Sequence, residues 1–412
     1  MASKRERYTP TDIGPSPSHW DDVVLDQVST FISNGFVGTA TPYYASEDDP
    51  TAVRYLYGTN VRENEIDRRD LRYITADFHA QQSKTELRAG DLLMVQSGHI
   101  GVTALVPPDL DGANCHALII TRLNQRKADP AFFCQYLNSE IGKARLRGLE
   151  CGSTILHINT KDIKRFRVPL PPLAEQKRIA EVLGVWDRAI EVAGKQLDLA
   201  RTQKRALMQT LLTPTRRFPG FEGQPWKEVR LGDVFRERSE RGRGDLPLLS
   251  ITGTRGVIPQ DENGRRDTSR EDKSSYKRIC VGDIGYNTMR MWQGVSAVSS
   301  LEGLVSPAYT IVVPKKGMDV RFASYLFKFP EQVDRFRRYS QGLTSDTWNL
   351  KFPHFSEVPA KIPSLSEQQA IAEVLDDAET EITTLETQIT RLQAEKKALM
   401  QQLLTGQKRL AV

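Results

Sequence analysis

The side chains best suited to reading a nucleic acid here are arginines, glutamines and a histidine in short Gly-bearing segments. Such groups hydrogen-bond base edges and phosphates. In the N-terminal half they are Arg68, Arg69 and Arg72, then Gln96 and His99 in QSGHIG. In the C-terminal half they are Arg241 and Arg243 in a Gly-rich stretch, Arg265 and Arg266 beside Asn263-Gly264, and Arg290, Trp292 and Gln293 in MRMWQG. QSGHIG and MRMWQG each follow a strand-like run opened by a Gly-Asp pair, Gly90-Asp91-Leu92 and Gly282-Asp283-Ile284. Both are therefore expected at comparable hairpin tips, the stronger ground for choosing them. Taken singly, any of these arginines reads as readily as solvated or salt-bridged surface, and Trp292 as readily as a packed aromatic as a base wedge.

Other chemistries lack their residues. The sequence holds no GxxxxGK[ST] phosphate loop, no GxGxxG after a strand and no GxSxG nucleophile elbow. It also lacks the Asn/Asp-Pro-Pro-aromatic tetrapeptide with which an amino-methyltransferase holds its target amine. The four cysteines form no CxxC pair, and the six histidines give neither HExxH nor zinc spacing, so no metal is expected. With 39% hydrophobic and 26% charged residues in 412, the chain suits two or three globular domains and not a disordered tail or a collagen-like repeat. No run of 18 apolar residues and no N-terminal apolar segment is present, which points to a cytoplasmic protein without a membrane partner. The net charge of +5 is unevenly spread. Residues 218–360 carry 22 Lys and Arg against 18 Asp and Glu, whereas residues 20–168 carry 17 against 19. A polyanion would have to meet the first region through a local patch.

What must position these segments is a duplicated scaffold. PPLAEQKRIAEVL (171–183) recurs as PSLSEQQAIAEVL (363–375), and ALMQTLLT (206–213) as ALMQQLLT (398–405). Of the 43 positions from 171 to 213, 19 are identical at the single offset of 192 that separates 171 from 363. Each copy reads as one long helix. Apolar side chains step by four and three through Ile179, Leu183, Trp186, Ile190, Ala193, Leu197, Ala200, Leu207 and Leu211, and again through Ile371, Leu375, Ala378, Ile382, Leu385, Ile389, Leu392, Leu399 and Leu403. That is a heptad seam, and two helices alike in length and register are expected to pair antiparallel. Lys204 and Lys396 interrupt the seam at the same place and are expected to snorkel, stems packed and heads solvated. Ser366 with Gln369 offers a capping box for the second helix, and Pro214 and Gly406 mark the two ends.

Upstream of each helix lies a region of short strand-like runs, and the two regions match only at anchors. WDDVVLDQV (20–28) parallels WKEVRLGDV (226–234), PAFFCQYLNS (130–139) parallels RFASYLFKFP (321–330) as short amphipathic helices, and GSTILHIN (152–159) parallels GLTSDTWN (342–349). A shared scaffold with divergent loops suits a protein that reads two different things at a fixed separation, for which DNA is a rigid ruler.

At PLPPLAEQKRIAEVL and IPSLSEQQAIAEVL, each leading to ALMQxLLT, the chain closely resembles the specificity (S) subunits of type I restriction-modification systems. RRFPGF (216–221) followed by Trp226 is similar to that family's entry into its second recognition domain. The resemblance runs from Trp20 to Gly406. It implies an α+β fold with a pseudo-two-fold repeat: an extension at 1–19, a first target recognition domain at 20–170, a spacer helix at 171–213, a linker at 214–225, a second recognition domain at 226–361, a second spacer helix at 362–406 and a tail at 407–412. It further implies that each domain reads one half of a bipartite double-stranded DNA target, and that the chain is non-catalytic. The expected partners are two methyltransferase (M) subunits and restriction/translocase (R) subunits, with S-adenosylmethionine, ATP and Mg bound there and no cofactor in this chain. A protein-only coiled-coil scaffold and a self-sufficient DNA-modifying enzyme are the alternatives. The first predicts no salt-dependent DNA binding; the second needs motifs that are missing.

Overall fold

The computed structural model describes residues 8–9, 16–150, 156–242, 244–253, 255–264 and 273–410. These form two compact units, Met1–Gly194 with Thr387–Val412, and Lys195–Glu386. Each unit thus holds the region upstream of one long helix and part of each long helix.

The first unit is built on an antiparallel sheet in the order Thr103–Leu105, Leu92–Val95, Leu118–Leu123, Ser29–Asn34. Its strand LLMV is apolar at every position because both faces are covered: Leu92 and Met94 enter one core with the helix Pro130–Asn138, Leu93 and Val95 a second core. Beside it lies a mixed sheet of Asn114–Cys115, Val53–Leu56 and Arg72–Ile74.

The second unit repeats the four-stranded sheet in the same order, Ser296–Val298, Ile284–Asn287, Tyr309–Pro314, Phe235–Glu237. Where the first unit has its mixed sheet, the second has two-stranded ribbons, Leu249–Thr252 with Gly256–Pro259 and Lys277–Ile279 with Gly303–Val305. Gly285 lets the two layers approach closely: a Cβ there would stand 2.2 Å from Ile251 Cδ1, so that side chain would have to shift. In both units the Gly-Asp pair is a structural device. Asp91 is buried and takes two bonds from Arg122 (2.8 and 2.7 Å), and Asp283 likewise from Arg238 (2.6 and 3.1 Å).

The two long helices span Leu173–Leu211 and Leu365–Leu403, 39 residues each, two or three residues inside the expected bounds at each end. Every seam residue named above is buried or half-buried. Within the first unit, Ile179 and Leu183 share a core with Met400, Leu403 and Leu404; within the second, Leu211 shares one with Ile371 and Leu375. In both, an early part of one helix meets a late part of the other, so these segments run antiparallel.

Three expectations are corrected. Lys396 does not hold a solvated head. Lys396 is buried with Nζ 2.5 Å from Asp187 Oδ1, and the part-buried Lys204 pairs with Glu379. An ammonium drawn into an apolar seam needs a carboxylate to offset its desolvation. The cap of the second helix is Ser364, whose Oγ accepts from Glu367 N at 3.4 Å; Ser366 lies inside the first turn. Finally, Pro130–Asn138 is not amphipathic, since every residue from Phe132 to Asn138 is buried.

The repeated Glu-Gln has a physical role. Gln176 and Gln368, both fully buried, accept from Asp129 N and Asp319 N at 2.8 Å and donate to Pro171 O (2.7 Å) and Pro363 O (3.0 Å). Asp129 and Asp319 are themselves the N-caps of Pro130–Asn138 and Val320–Leu326, so each glutamine fixes its long helix to a short one. The preceding carboxylates are buried too. Glu367 takes Arg217 at 2.5 and 2.7 Å, and Glu175 takes Trp20 Nε1 at 3.2 Å with Arg409 Nε at 3.6 Å.

Candidate nucleic-acid interface

Each unit ends its central hairpin in an exposed tip. In the first, residues 96–102 join Leu92–Val95 to Thr103–Leu105; in the second, residues 288–295 join Ile284–Asn287 to Ser296–Val298. Gly98, Gly101 and Gly294 take φ of +79°, +82° and +75°, which lets the chain turn so tightly. His99, Arg290 and Gln293 are exposed, Gln96 half-buried. Trp292 is half-buried; its Nε1 donates to Met289 O at 3.0 Å and its ring meets Trp348 edge-on at 5.4 Å.

Two further parts complete each tip. A later segment is tied to it by a backbone bond, Ile158 N to Gln96 O (3.0 Å) in the first unit and Leu350 N to Thr288 O (2.8 Å) in the second. At the offset of 192, Gln96 and Ile158 correspond to Thr288 and Leu350; Ile158 lies in GSTILHIN and Leu350 directly follows GLTSDTWN, and residues 152–155 lie outside the described residues. A short basic helix also packs against each tip: Glu140–Arg147 and Pro330–Tyr339. The close approach is set by glycine. A Cβ at Gly101 would stand 3.0 Å from Leu146 Cδ1, and one at Gly294 3.1 Å from Val333 Cγ2.

These helices escaped sequence reasoning, although Lys143, Arg145 and Arg147, like Arg335, Arg337 and Arg338, cluster just before the paired segments. Their members are unequal. Arg145 is structural, donating to Tyr136 Oη at 2.6 Å and lying over the Phe166 ring at 4.9 Å. Arg337 and Arg338 are exposed and share Asp334, while exposed Arg147 lines one depression with His99, Leu156, Glu63, Glu150 and Lys143, the last paired with Glu63 at 2.6 Å. Arginines paired to a single carboxylate at a surface keep donors free for phosphate.

The other sequence candidates fall elsewhere. Arg68 forms a two-pronged pair with Asp109 (2.9 and 3.1 Å) and Arg69 one with Asp67 (2.7 and 2.9 Å). Both guanidiniums hold their partner carboxyls below the usual range, Asp67 strongly so, as surface ion pairs do. Arg72 lies over the Tyr44 ring at 5.8 Å and shares a second depression with Arg68 and Glu47. Arg241 is exposed and bridges to Lys277. Arg243, Arg265 and Arg266 lie outside the described residues. Among the described residues no group of His, Cys, Asp or Glu could hold a metal ion, and no helix is long and apolar enough to cross a membrane.

Residues 17–199 and 223–394 match the family model of the type I restriction modification DNA specificity domain, two copies that cover most of the chain. Two Methanocaldococcus jannaschii proteins are similar in sequence. One, provisionally named the type I restriction enzyme MjaX specificity subunit, is 24% identical over 99% of this chain and 98% of its own length. The other, the type I restriction enzyme MjaVIII specificity subunit, is 23% identical over 67% of this chain and 70% of its own. Among solved structures, the type I restriction-modification system S subunit from M. genitalium superposes with a TM-score of 0.59 at 14% identity, over 93% of this chain and 96% of that one.

Proposed function

Because the chain belongs to the type I restriction-modification DNA specificity family, we propose that it is the DNA specificity subunit of such a complex, each unit reading one half of a bipartite target. The observation that carries this is the double tip. Two equivalent hairpins, each braced by a basic helix and a tied-down loop, stand on a scaffold of identical strand order but differ in nearly every exposed side chain. An unchanged frame with changed fingertips is what two recognition events of different sequence require.

The long helices act as a coiled-coil spacer that sets the distance between half-sites and docks two methyltransferase subunits. The antiparallel segments and the acid–lysine pairs within each unit support the pairing. S-adenosylmethionine, ATP and Mg belong to the methyltransferase and restriction subunits, in keeping with the lack of phosphate-loop and methyltransferase motifs in this sequence. The DNA contacts are assigned to His99, Gln96, Arg147 and Lys143 in the first unit, and to Arg290, Gln293, Arg337 and Arg338 in the second.

Replacing residues 20–168 with the matching region of a relative tests this. The methylated motif made by the assembled complex should change in one half only, with the other half and the spacer intact. A motif altered in both halves would overturn the two-reader assignment.

A further inference from the structure

The tip of the second unit carries apolar side chains that a purely polar reader has no use for. Leu343 is fully exposed (101%) and Met289 is 47% exposed, on adjoining loops. Isolated exposed leucines are common, but this one is displayed by a built loop. Gln341 and Asn349 bridge across its base with reciprocal bonds of 2.8 Å. Thr347 N donates to Thr344 O at 2.9 Å, and Thr344 N to Thr347 Oγ1 at 3.1 Å. Gly342 takes a φ of +136°, and a Cβ there would stand 2.6 Å from Thr347 O, so only glycine fits before the leucine. The loop is tied to the hairpin tip by Leu350 N to Thr288 O and by the Trp292–Trp348 ring contact. Met289 and Arg290 follow directly on Thr288, and exposed Arg337 and Arg338 lie on the helix braced against the same tip.

An apolar group held out by such a loop, beside an arginine-bearing tip, suits an apolar partner on DNA. Base edges in the grooves offer one such group, the 5-methyl of thymine in the major groove. We propose that Leu343, with Met289, receives a thymine methyl, so that the half-site of the second unit contains a thymine fixed by this contact. The proposal rests on the specificity-subunit assignment. It adds the base that one tip selects. At the first tip the exposed apolar side chain is Leu156 (47%), which shares its depression with His99, Lys143 and Arg147; nothing there matches the fully exposed Leu343.

The test uses the full chain assembled with its methyltransferase subunits. Its methylated motif is read first, and the half belonging to the second unit is identified by replacing residues 226–361. Each thymine of that half is then exchanged for deoxyuridine, which lacks only the methyl group. Affinity should fall about fourfold at one position, the value of one buried methyl. Leu343→Ala should bind thymine and deoxyuridine duplexes alike, while thymines of the other half-site behave as with the native chain. Leu343 is fully exposed, so the variant keeps its fold. A half-site without thymine, or an unchanged thymine preference in Leu343→Ala, overturns the proposal. So does a leucine that wedges between bases instead: deoxyuridine would then be silent, and Leu343→Ala would abolish a bend in the DNA. A complex with no sequence-specific binding, by contrast, would sink the specificity-subunit assignment itself.

Discussion

The first tip gathers His99, Lys143 and Arg147 with Leu156, Glu63 and Glu150 around one depression; the second bears exposed Met289, Arg290 and Gln293, with the fully exposed Leu343 on the loop tied to it. Both stand on the same four strands, the same buried Asp–Arg pair and the same glutamine-anchored helix. Duplication fixed the parts whose packing has one good solution and left free the parts that face solvent. A side chain at a hairpin tip can change without cost to the core, whereas a buried carboxylate cannot lose its arginine.

Removing that shared device gives the largest expected effect. Asp91→Ala removes the buried partner of Arg122, and Asp283→Ala that of Arg238, which keeps Glu240 at 3.9 Å. Each change should destabilise its own unit by about 3 kcal/mol, measured by urea unfolding. Equal losses would show that the scaffold is energetically one design used twice; a loss at one site alone would break the comparison.

At the tips the effects should be smaller and unequal. Arg290→Ala should lower DNA affinity about tenfold and relax the motif at one base of the second half-site, as loss of a base-edge contact does. Arg147→Ala in the first unit should weaken binding to all sequences alike and reduce the salt slope by about one. The two patterns are separated by titrating the assembled complex with cognate and non-cognate duplexes at several salt concentrations. If both variants behaved identically, base-reading and phosphate-holding roles would not divide as assigned.

The smallest effect concerns the mixed sheet that, among the described residues, only the first unit possesses. His116 stacks on Tyr57 at 4.7 Å with Nδ1 3.2 Å from Tyr55 Oη, and burial holds its pKa below the ordinary 6.5. With its pKa lowered by burial, the imidazole takes up a proton more readily in the unfolded chain than in the fold, so its stability contribution is full above pH 6.5 and declines as pH falls below that value. The Tm of the native chain should therefore drop more between about pH 7 and 5.5 than that of His116→Asn. Equal drops would mean that another group governs the acid side.

Much of the scaffold is legible in the amino-acid sequence. The long helices follow from the 19 repeated positions and the four–three steps from Ile179 to Leu211, because a seam that must stay buried over 39 residues leaves a strict periodicity. Gly90-Asp91 and Gly282-Asp283 announce two equivalent hairpins for the same reason: a tight turn and a buried charge tolerate few residues. The partners of Lys204 and Lys396 are not legible there. Asp187 and Glu379 sit on the opposite helices, and no local pattern says which carboxylate an antiparallel register brings alongside.

The candidate site divides along the same line. Sequence alone selects Gln96, His99, Arg290 and Gln293, through their place after a strand. It cannot separate them from Arg68 and Arg69, whose guanidiniums are engaged by Asp109 and Asp67, since an arginine's freedom depends on which acid folds beside it. Nor can it add the basic helices or Leu343, which reach the tips through glycine contacts and backbone bonds between segments about 40 to 60 residues apart in sequence. Periodicity and turn chemistry are local and are written in the order of the residues. Charge pairing and the convergence of separate loops on one surface are set by long-range packing, and only the tertiary structure decides them.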